Sequence, residues 1–524
     1  MKKITSAIIV SAMLLSMMVL MIPTASAAWD GSSVSAALIG SGTEFDPYLV
    51  SSENDLAFVA KQVNDGTTHF EGEYIKLTVD LDLGGHSWRP IGELKANHFG
   101  GHFDGDGHTI KGLVVKTIDD SNALYGGVFG RILDGSVKNL NVDGAKINSA
   151  KYAGAIAGVL NVTAGTGEAS IYNCHTSNCD IRGLQPAGIV GRCSTKEATK
   201  GQIKVTGCSS INNVMSPCSA EDFPAASMSN FYMGGIVGAS GVAIISGCWV
   251  ENATLNAFGT GNPWVGGIVG VHGADKIASD LTNCYVKGVT INVDATCNPT
   301  SGCYGGLIGK AAHVAVSFGD VNTEYNVFNC FVSDVTINDP TNSVNVGILM
   351  GLINDSIYFN DVYFVPQTNL SSFGYDKYFA EWPFMEVTAV SNVKAEDLNS
   401  GNSTKVWADD VVIGHPVIDV AAALENAPAY VDYYVEHAAD TTEEVTTEAP
   451  EVTDEVTTEA PVVTDEPTDA PEATDAPTEA PVVTDAPAQG TEPAKEEKGC
   501  GGMIAGGVII VAILGTAVVF KKRD

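Results

Sequence analysis

A short sequence pattern recurs along residues 110–332 and restricts the folds that this chain can adopt. Each copy reads apolar residue, any residue, Asn or Gly, an apolar residue or Cys, any residue, and usually Val. Motifs of constant form, joined by segments of variable length, are typical of solenoids, in which stacked repeats bury one continuous core. The fourth positions of the copies are Leu113, Leu140, Cys174, Cys208, Cys248, Cys284 and Cys330.

The residue before each core position is always Asn or Gly, the types that adopt the left-handed αL conformation at the least cost. The apolar positions three before and two after the core residue have opposite parity, which a straight strand does not allow. A bend at the Asn or Gly lets both flanking strands point inward. We expect the stacked Asn amides to hydrogen-bond along the axis of the solenoid. The Asn residues of this row are Asn139, Asn173, Asn283 and Asn329.

A second motif, Gly-x-apolar-apolar-Gly, alternates with the first, as at 126–130, 234–238 and 266–270. We expect it to form another short strand with a turn at each glycine. Three short strands per repeat predict one coil of a parallel β-helix, with coils stacked at the strand spacing of about 4.8 Å. A β-sandwich is disfavoured because its hairpins give no reason for one constant residue before the Cys.

The cysteines of the first motif are open to three interpretations. No Cys-x-x-Cys pair occurs in the chain, which disfavours a zinc site. In stacked coils the five thiols fall on one inward wall, where Cys acts as a small buried hydrophobe. This interpretation is favoured over disulfides in the row. Pairing among the other cysteines, such as Cys297 with Cys303, stays open for an exported protein.

Both ends of the chain indicate export. Lys2 and Lys3, an apolar run and Ala25-Ser-Ala27 predict a secretory signal peptide over residues 1–27. Residues 501–520 carry no charge and are long enough to span a bilayer. The basic residues 521–523 that follow predict a cytoplasmic C-terminus, with the N-terminus outside. The expected product is a single-pass protein anchored at the cell surface.

The composition of the chain divides the exported part into regions. Residues 441–490 contain 14 acidic residues, no basic residue and 7 Pro, and predict an extended, disordered stalk. Ser52 and Asp55 start an amphipathic helical pattern that is expected to cap the first coil. The predicted regions are the signal peptide (1–27), an N-terminal cap and lead-in (28–110), the β-helix repeats (111–365), a closing region (366–440), the stalk (441–498) and the anchor with its basic tail (499–524).

The formal net charge of −34 argues against a nucleic-acid partner, because there is little positive charge to release phosphate counterions. Catalytic signals are weak. The segment Asp104–His108 has only half of a calcium-loop pattern, so calcium is a weak candidate and no cofactor is predicted. The acidic pairs 119–120 and 409–410 are chain neighbours, whose side chains point to opposite faces of an extended segment. We therefore expect no enzyme activity.

The Gly-x-apolar-apolar-Gly copies resemble the GLUG-motif repeats of bacterial surface proteins. The lead-in segments 42–50, 88–92 and 99–110, and Trp407 followed by Gly414–Val417, fit the same pattern. The resemblance covers about residues 40–420. It implies a right-handed parallel β-helix on a secreted or surface protein, often an adhesin-like module, and it implies no chemistry. Some members carry a metallopeptidase domain, but the chain has no His-Glu-x-x-His.

Cys500 lies in Gly-Cys-Gly just before the apolar segment. This layout resembles C-terminal sorting signals and makes Cys500 a candidate processing site. The alternative is a plain membrane anchor. The chain lacks Leu-Pro-x-Thr-Gly, so attachment to the cell wall by an ordinary sortase is not expected.

Function is predicted as non-enzymatic adhesion to a glycan or protein on a host or neighbouring cell. Loops carry specificity on rigid scaffolds, so the long loops 194–202, 216–230, 295–302 and 311–325 are the favoured binding segments. A sugar-stacking strip of exposed aromatic side chains is a further hypothesis, and packing of these side chains under a loop is favoured over it. Its residues are Trp249, Tyr285, Phe328 and Phe331. The alternative functions are a polysaccharide lyase or glycoside hydrolase on the same scaffold, and a structural coat protein.

Overall fold

The computed structural model describes the central part of the chain. The described residues are 29–116, 125–163, 167–194, 202–218, 230–241, 243–273, 279–311, 325–353, 357–368, 370–376, 385–390, 407–410 and 415–418. They form short strands and one helix, α1 (Glu53–Asn64). The predicted signal peptide, stalk, membrane segment and Cys500 lie outside this part of the chain. Within it, no helix has both the length and the apolar character needed to cross a membrane.

The strands assemble into four parallel sheets, numbered in the order in which the chain visits them. Sheet 1 has 19 strands, sheets 2 and 3 have seven each, and sheet 4 has eight. Each coil adds two consecutive strands to sheet 1 and then one strand to each of the other sheets. The prediction of an all-β fold of stacked parallel strands is confirmed. Its handedness stays a prediction.

Sheet 1 provides two strands to every coil. It consists of β1 (Tyr48–Val50), β2 (Tyr74–Leu77), β3 (Leu81–Asp82), β4 (His102–Asp104), β5 (Thr109–Lys111), β9 (Ser136–Lys138), β10 (Asn141–Asp143), β14 (Ala169–Tyr172), β15 (His175–Ser177), β19 (Ile203–Thr206), β20 (Ser209–Ile211), β24 (Ala243–Ser246), β25 (Trp249–Glu251), β29 (Asp280–Thr282), β30 (Tyr285–Lys287), β34 (Tyr325–Phe328), β35 (Phe331–Ser333), β39 (Ile357–Phe364) and β41 (Met385–Ala389).

The other three sheets receive one strand from each coil. Sheet 2 consists of β6 (Val114–Lys116), β11 (Lys146–Asn148), β16 (Asp180–Arg182), β21 (Val214–Ser216), β26 (Thr254–Ala257), β31 (Thr290–Val293) and β36 (Thr336–Asn338). Sheet 3 consists of β7 (Tyr125–Gly126), β12 (Tyr152–Gly154), β17 (Gln185–Ala187), β22 (Asn230–Gly234), β27 (Asn262–Gly266), β32 (Cys303–Gly305) and β37 (Val346–Gly347). Sheet 4 consists of β8 (Phe129–Leu133), β13 (Ala157–Asn161), β18 (Val190–Cys193), β23 (Val237–Ser240), β28 (Val269–His272), β33 (Ile308–Ala311), β38 (Met350–Ile353) and β40 (Phe373–Asp376).

A coil therefore contains five strands, and the expectation of three short strands is wrong. The expected strand with a turn at each glycine is also not found. In the copy at 234–238, Gly234 ends β22 and Gly238 lies in β23, with the bend at residues 235 and 236 between the two strands. A Cβ atom on Gly234 would lie 2.0 Å from the carbonyl oxygen of Val237. The motif forms the tight corner between sheets 3 and 4, where glycine is needed because two backbone segments approach closely.

Two further corners in each coil place a residue at positive φ. The first corner joins the two strands of sheet 1, and the second joins sheet 1 to sheet 2. The residues at the first corner are Asn139, Asn173, Gly207, Gly247, Asn283, Asn329 and Asp361. Those at the second corner are Gly112, Gly144, Asn178, Asn212, Asn252, Gly288 and Asp334. The sequence pattern located the first of these corners and missed the second.

The expectation that Leu113 is equivalent to Leu140 and to the five cysteines of the first motif is wrong. Ile110 pairs with Val142, so Leu113 lies level with Ala145, at the second corner of its coil. The error arises because both corners carry the same local pattern of an Asn or Gly followed by a small or apolar residue. Only the pairing of strands between coils separates them.

The single helix lies where the sequence predicts one. The Ser52 side chain accepts a hydrogen bond from the Asp55 backbone N–H, and the apolar face packs into the core through Leu56, Val59 and Val63. These contacts fix the helix beside β1. Its role as a cap over the first coil stays a prediction.

The chain continues past the last full coil. The strand β39 extends sheet 1 and β40 extends sheet 4. Two antiparallel strands, β42 (Trp407–Asp410) and β43 (His415–Ile418), form a separate pair that contacts the outer face of sheet 1.

Candidate functional site: a groove on the outer face of sheet 1

The first corner points one side chain of every coil into the core. Leu140 is followed in successive coils by Cys174, Cys208, Cys248, Cys284 and Cys330, all with no exposed surface. The Cys248 N–H donates to the Cys284 sulfur at 3.4 Å, and the Cys284 N–H donates to the Cys330 sulfur at the same distance. We call these five residues the cysteine row.

All ten cysteines of the described residues are buried, and Cys297 and Cys303 are not joined in a disulfide. Burial raises the pKa of the Cys248 and Cys284 thiols well above the ordinary value. Cys179, which was not assigned to a row, lies at the second corner, and burial raises its pKa to about 12. Cys179, Cys248 and Cys284 are therefore protonated core side chains at neutral pH.

The asparagines before the row form hydrogen bonds from coil to coil. Asn329 donates to the Asn283 side-chain oxygen at 2.7 Å. Asn173 donates to the Asn139 oxygen at 2.9 Å, and Asn139 donates to a carboxylate oxygen of Asp104 at 3.0 Å. In the two coils between these pairs the position is glycine, so the amide contacts form two separate segments.

The Asn139 segment continues onto the outer face of sheet 1. His175 contacts the Asn173 oxygen through Nε2 at 3.0 Å and the Ser209 hydroxyl through Nδ1 at 2.9 Å. Since Asn173 presents an oxygen, Nε2 of His175 must donate, and Nδ1 accepts from Ser209. Burial lowers the pKa of His175, which favours the neutral ring that this pattern requires.

The outward side chains of sheet 1 stand in register from coil to coil. The second strand of each coil contributes one residue to this outer row. In order, they are Thr109, Asn141, His175, Ser209, Trp249, Tyr285 and Phe331. The row is polar in its first four coils and aromatic in the next three.

A groove of about 340 Å³ lies over the polar half of the outer row. Lys111, Asp143 and Ser177, from the ends of the same strands, form one edge of it. Asp143 accepts hydrogen bonds from Ser177 at 2.7 Å and from Asn178 at 2.8 Å. These bonds lower the pKa of Asp143, which is therefore ionised at neutral pH. The groove offers hydroxyl, amide, carboxylate and ammonium groups side by side.

The aromatic half of the outer row is stacked. Tyr285 lies parallel to Phe331 with ring centroids 5.0 Å apart, and to Trp249 at 6.2 Å. Trp407 of β42 packs on both Tyr285 and Phe331, with centroid distances of 6.1 and 5.5 Å. The strand pair β42–β43 thus covers this end of the row.

The expectation of exposed rings is wrong for Tyr285, Phe328 and Phe331, which are exposed by 2%, 1% and 0%. Tyr285 and Phe331 lie under Trp407, as the favoured interpretation of packing beneath another segment expects. Trp249 is half-buried, at the junction of the open and covered halves. No local sequence signal could have indicated this cover, because Trp407 lies far along the chain.

Of the loops favoured for binding, 295–302 is described and forms a turn in which Cys297 is buried. Residues 195–201, 219–229 and 312–324, the central parts of the other three, lie outside the described residues. The weak calcium candidate at 104–108 is a turn between β4 and β5, and the described part of the chain contains no group of three metal-ligating side chains.

The burial of Ser209 argues against a role as a nucleophile. Ser209, His175 and Asn173 follow one another in hydrogen-bond contact, as such groups do. However, Ser209 is only 1% exposed, so its hydroxyl is shielded from a molecule in the groove. The hydrogen bonds of His175 with Ser209 and Asn173 order the outer face of sheet 1.

A model of a known protein family matches part of the repeat region. The family model of the GLUG motif matches residues 262–292, which run from β27 into β31. The chain carries the GLUG motif. The predicted resemblance is therefore confirmed, and the motif spans the corner between sheets 3 and 4 and the next coil.

Two curated relatives match parts of the chain. A protein of Evansella cellulosilytica, described as a candidate Gly-rich membrane protein, is 38% identical over 123 residues, which are 23% of this chain and 14% of that protein. Halomucin of Haloquadratum walsbyi is 32% identical over 143 residues, 26% of this chain and 2% of halomucin. The chain thus spans only a small part of the length of either relative.

Among solved structures, a candidate immunoglobulin A1 protease from Bacteroides ovatus aligns with a TM-score of 0.40 and 18% identity. The alignment covers 72% of this chain and 94% of that one.

Proposed function

We propose that this protein is displayed on a bacterial cell surface and binds a glycan, without cleaving it, in the groove on the outer face of sheet 1. The main support for this proposal is the groove itself. Its polar half offers the partners that sugar hydroxyls need, from Asn141, Asp143 and Ser177. The half-buried Trp249 lies at its end, where an aromatic ring can contact the apolar face of a sugar.

Surface display is supported by the predicted signal peptide and membrane segment at the two ends of the chain. The description of one relative as a membrane protein and the name halomucin for another agree with this location. Membrane anchoring through residues 501–520, with the N-terminus outside, is part of the proposal.

Binding without cleavage is supported by the charge state of the groove. A glycosidase needs a carboxylic acid whose pKa is raised so that it can donate a proton. Asp143 is the one carboxylate among the groove-lining residues, and its hydrogen bonds from Ser177 and Asn178 lower its pKa. The groove therefore holds a hydrogen-bond acceptor for hydroxyl groups.

The proposal is tested with the full-length protein and a panel of neutral polysaccharides in affinity electrophoresis. The variants D143N and W249A should each weaken binding of the retained polymer about tenfold, the effect of losing ~1.4 kcal/mol. D180N in sheet 2 and W264A in sheet 3 are matched controls and should leave it unchanged. New reducing ends or unsaturated products would replace this function by an enzyme. Failure to retain any polymer would favour a structural coat protein.

A further inference from the structure

Sheets 3 and 4 have an unusual distribution of charge. The chain contains 62 Asp and Glu residues. In the seven full coils, none of the strands of these two sheets, β7 to β38, contains an acidic residue. Sheets 1 and 2 do contain them, for example Asp104, Asp143 and Asp180. One side of an acidic molecule is thus free of carboxylates in its strands.

Sheet 4 contains a row of basic side chains. One position of sheet 4 stands in register from Arg131 through Val159 to Arg192, and on through Ala239 and Val271 to Lys310. The three cations are half-buried, and the three residues between them are buried. Since coils are stacked about 4.8 Å apart, Arg131 and Arg192 are separated by roughly 10 Å and Arg192 and Lys310 by roughly 14 Å along the axis.

A parallel row of aromatic residues lies beside these cations on sheet 3. Tyr125 stacks on Tyr152 with ring centroids 5.8 Å apart, and Tyr232 stacks on Trp264 at 4.7 Å. Tyr152, Tyr232 and Trp264 are half-buried. We call the two rows together the basic–aromatic face.

Aromatic rings contact two of the three cations of the row, while Arg131 donates to the Lys95 carbonyl oxygen at 2.8 Å. The Lys310 ammonium lies over the Trp264 ring, 4.0 Å from its centroid, and the Arg192 guanidinium lies 6.0 Å from that of Tyr152. Lys151, in the turn before β12, lies over Tyr152 at 4.9 Å. In the part of the chain that the structure describes, Lys151 and Lys310 have no carboxylate within ion-pair distance. Their charge is oriented by ring contacts and is available to a ligand.

We infer that the basic–aromatic face binds a linear anionic polysaccharide whose carboxylates are spaced along the chain. Charge complementarity favours an anion, because this is the one side of the described coils where strands contribute cations and no carboxylates. The spacing of the cations is comparable to the length of a disaccharide unit. Tyrosine hydroxyls between them can hydrogen-bond to sugar hydroxyls.

A nucleic acid fits this face less well. Duplex DNA carries one negative charge per about 1.7 Å, far denser than the cations on this face. The net charge of −34 on the whole protein repels such a dense polyanion. A polysaccharide with one carboxylate per disaccharide meets the cations with little excess negative charge.

The test uses the full-length protein and hyaluronan, with one carboxylate per disaccharide, in titration calorimetry at low and moderate salt. The triple variant R131Q/R192Q/K310Q should weaken binding about tenfold or more, since each of these half-buried cations accounts for about two- to fivefold. The single variant K310Q should weaken binding by about two- to fivefold. Binding by the parent protein should weaken as salt increases.

The matched control is K146Q/K204Q/K287Q, which removes the same charge from sheets 1 and 2 and should keep wild-type affinity. The groove variant W249A should also keep it, so failure of this inference is separate from failure of the proposed function. Equal affinity for neutral dextran, tighter binding of duplex DNA, or an unaltered affinity in the triple variant would each overturn the inference.

Discussion

Asn173 donates a hydrogen bond from its side-chain amide to the side-chain oxygen of Asn139 in the preceding coil, over 2.9 Å. Both residues have positive φ, 47° and 53°. The same side chain that permits the bend therefore also links neighbouring coils. Because Asn139 in turn donates to the acceptor Asp104, the direction of the whole chain of bonds is set, up to the His175 ring on the outer face.

Substitution of Asn173 separates the two roles of this residue. N173G keeps the positive φ and loses the amide, and should lower the free energy of unfolding by about 1 kcal/mol for each hydrogen bond lost. N173A also places a Cβ in the αL region and should lower it by a further ~1 kcal/mol. Urea denaturation followed by circular dichroism measures both. Gly207 and Gly247 occupy the same corner in other coils, so glycine there is compatible with the fold. Equal stability of the two variants would contradict the αL argument.

The first corner was predictable because the apolar positions before and after it cannot lie on the same face of one straight strand. The apolar residues around Asn173 and Asn283 cannot all face inward without a bend. The local sequence at the second corner, at Asn178 and Gly288, cannot be distinguished from that at the first corner. Its position follows only from the pairing of whole coils, and for that reason Leu113 was assigned to the wrong row.

The outer face was less predictable than the core. The apolar periodicity that marks inward residues says nothing about what covers an outward one. Trp249 and Tyr285 occupy equivalent positions in adjacent coils, yet Trp407 covers Tyr285 and leaves Trp249 half-buried. The basic–aromatic face was also missed, because Tyr152 and Arg192 are separated in the sequence and meet only through the stacking of coils.

The buried thiols predict a loss of stability in alkali. Burial raises the pKa of Cys179 and of Cys303 from 9.0 to about 12 each. In the unfolded chain these thiols ionise near pH 9, while in the folded protein they stay protonated. Their contribution is therefore fully present below pH 9 and is lost as the pH rises toward 12. Urea unfolding at pH 7.5, 9 and 10 should show falling stability, and a C179A/C303A variant should show a shallower fall.

The thiols of the cysteine row should be unreactive toward thiol reagents in the folded protein. All five thiols are fully buried and free. A bulky maleimide should leave them unmodified under native conditions and should modify all five in denaturant, as measured by mass spectrometry. C284D should lower the free energy of unfolding by several kcal/mol, because a carboxyl group would enter an apolar stack. C284A, which removes the sulfur and adds no polar atom, is the control and should cost less.

The groove predicts an acid limit for glycan binding. Hydrogen bonds from Ser177 and Asn178 lower the pKa of Asp143, so its carboxylate persists below the ordinary Asp range near pH 4. Affinity for the retained polysaccharide should be constant from pH 8 to 5 and fall only below that range. S177A removes the larger of the two effects and should move the fall to higher pH. An unchanged profile in S177A would show that another group controls it.

The strand pair β42–β43 predicts which aromatic residues become accessible when its main contact is removed. Trp407 packs on Tyr285 and Phe331, and Ile418 completes the same cluster. W407A should expose both rings. It should destabilise the packing of β42–β43 on sheet 1 by about 3–5 kcal/mol, the usual cost of deleting a buried large aromatic side chain. Oxidative footprinting read by mass spectrometry should show new modification at Tyr285 and Phe331.

The control for this experiment is W264A, which removes a tryptophan from sheet 3 and should leave the footprint of Tyr285 unchanged. Tyr304 is a second internal reference, because it lies fully buried in the core and away from β42–β43. Modification confined to Tyr285 and Phe331 would indicate that the pair detaches while the coils stay folded. Modification that includes Tyr304 would instead mean that β42–β43 and the coils unfold together, and that the cover is part of the core.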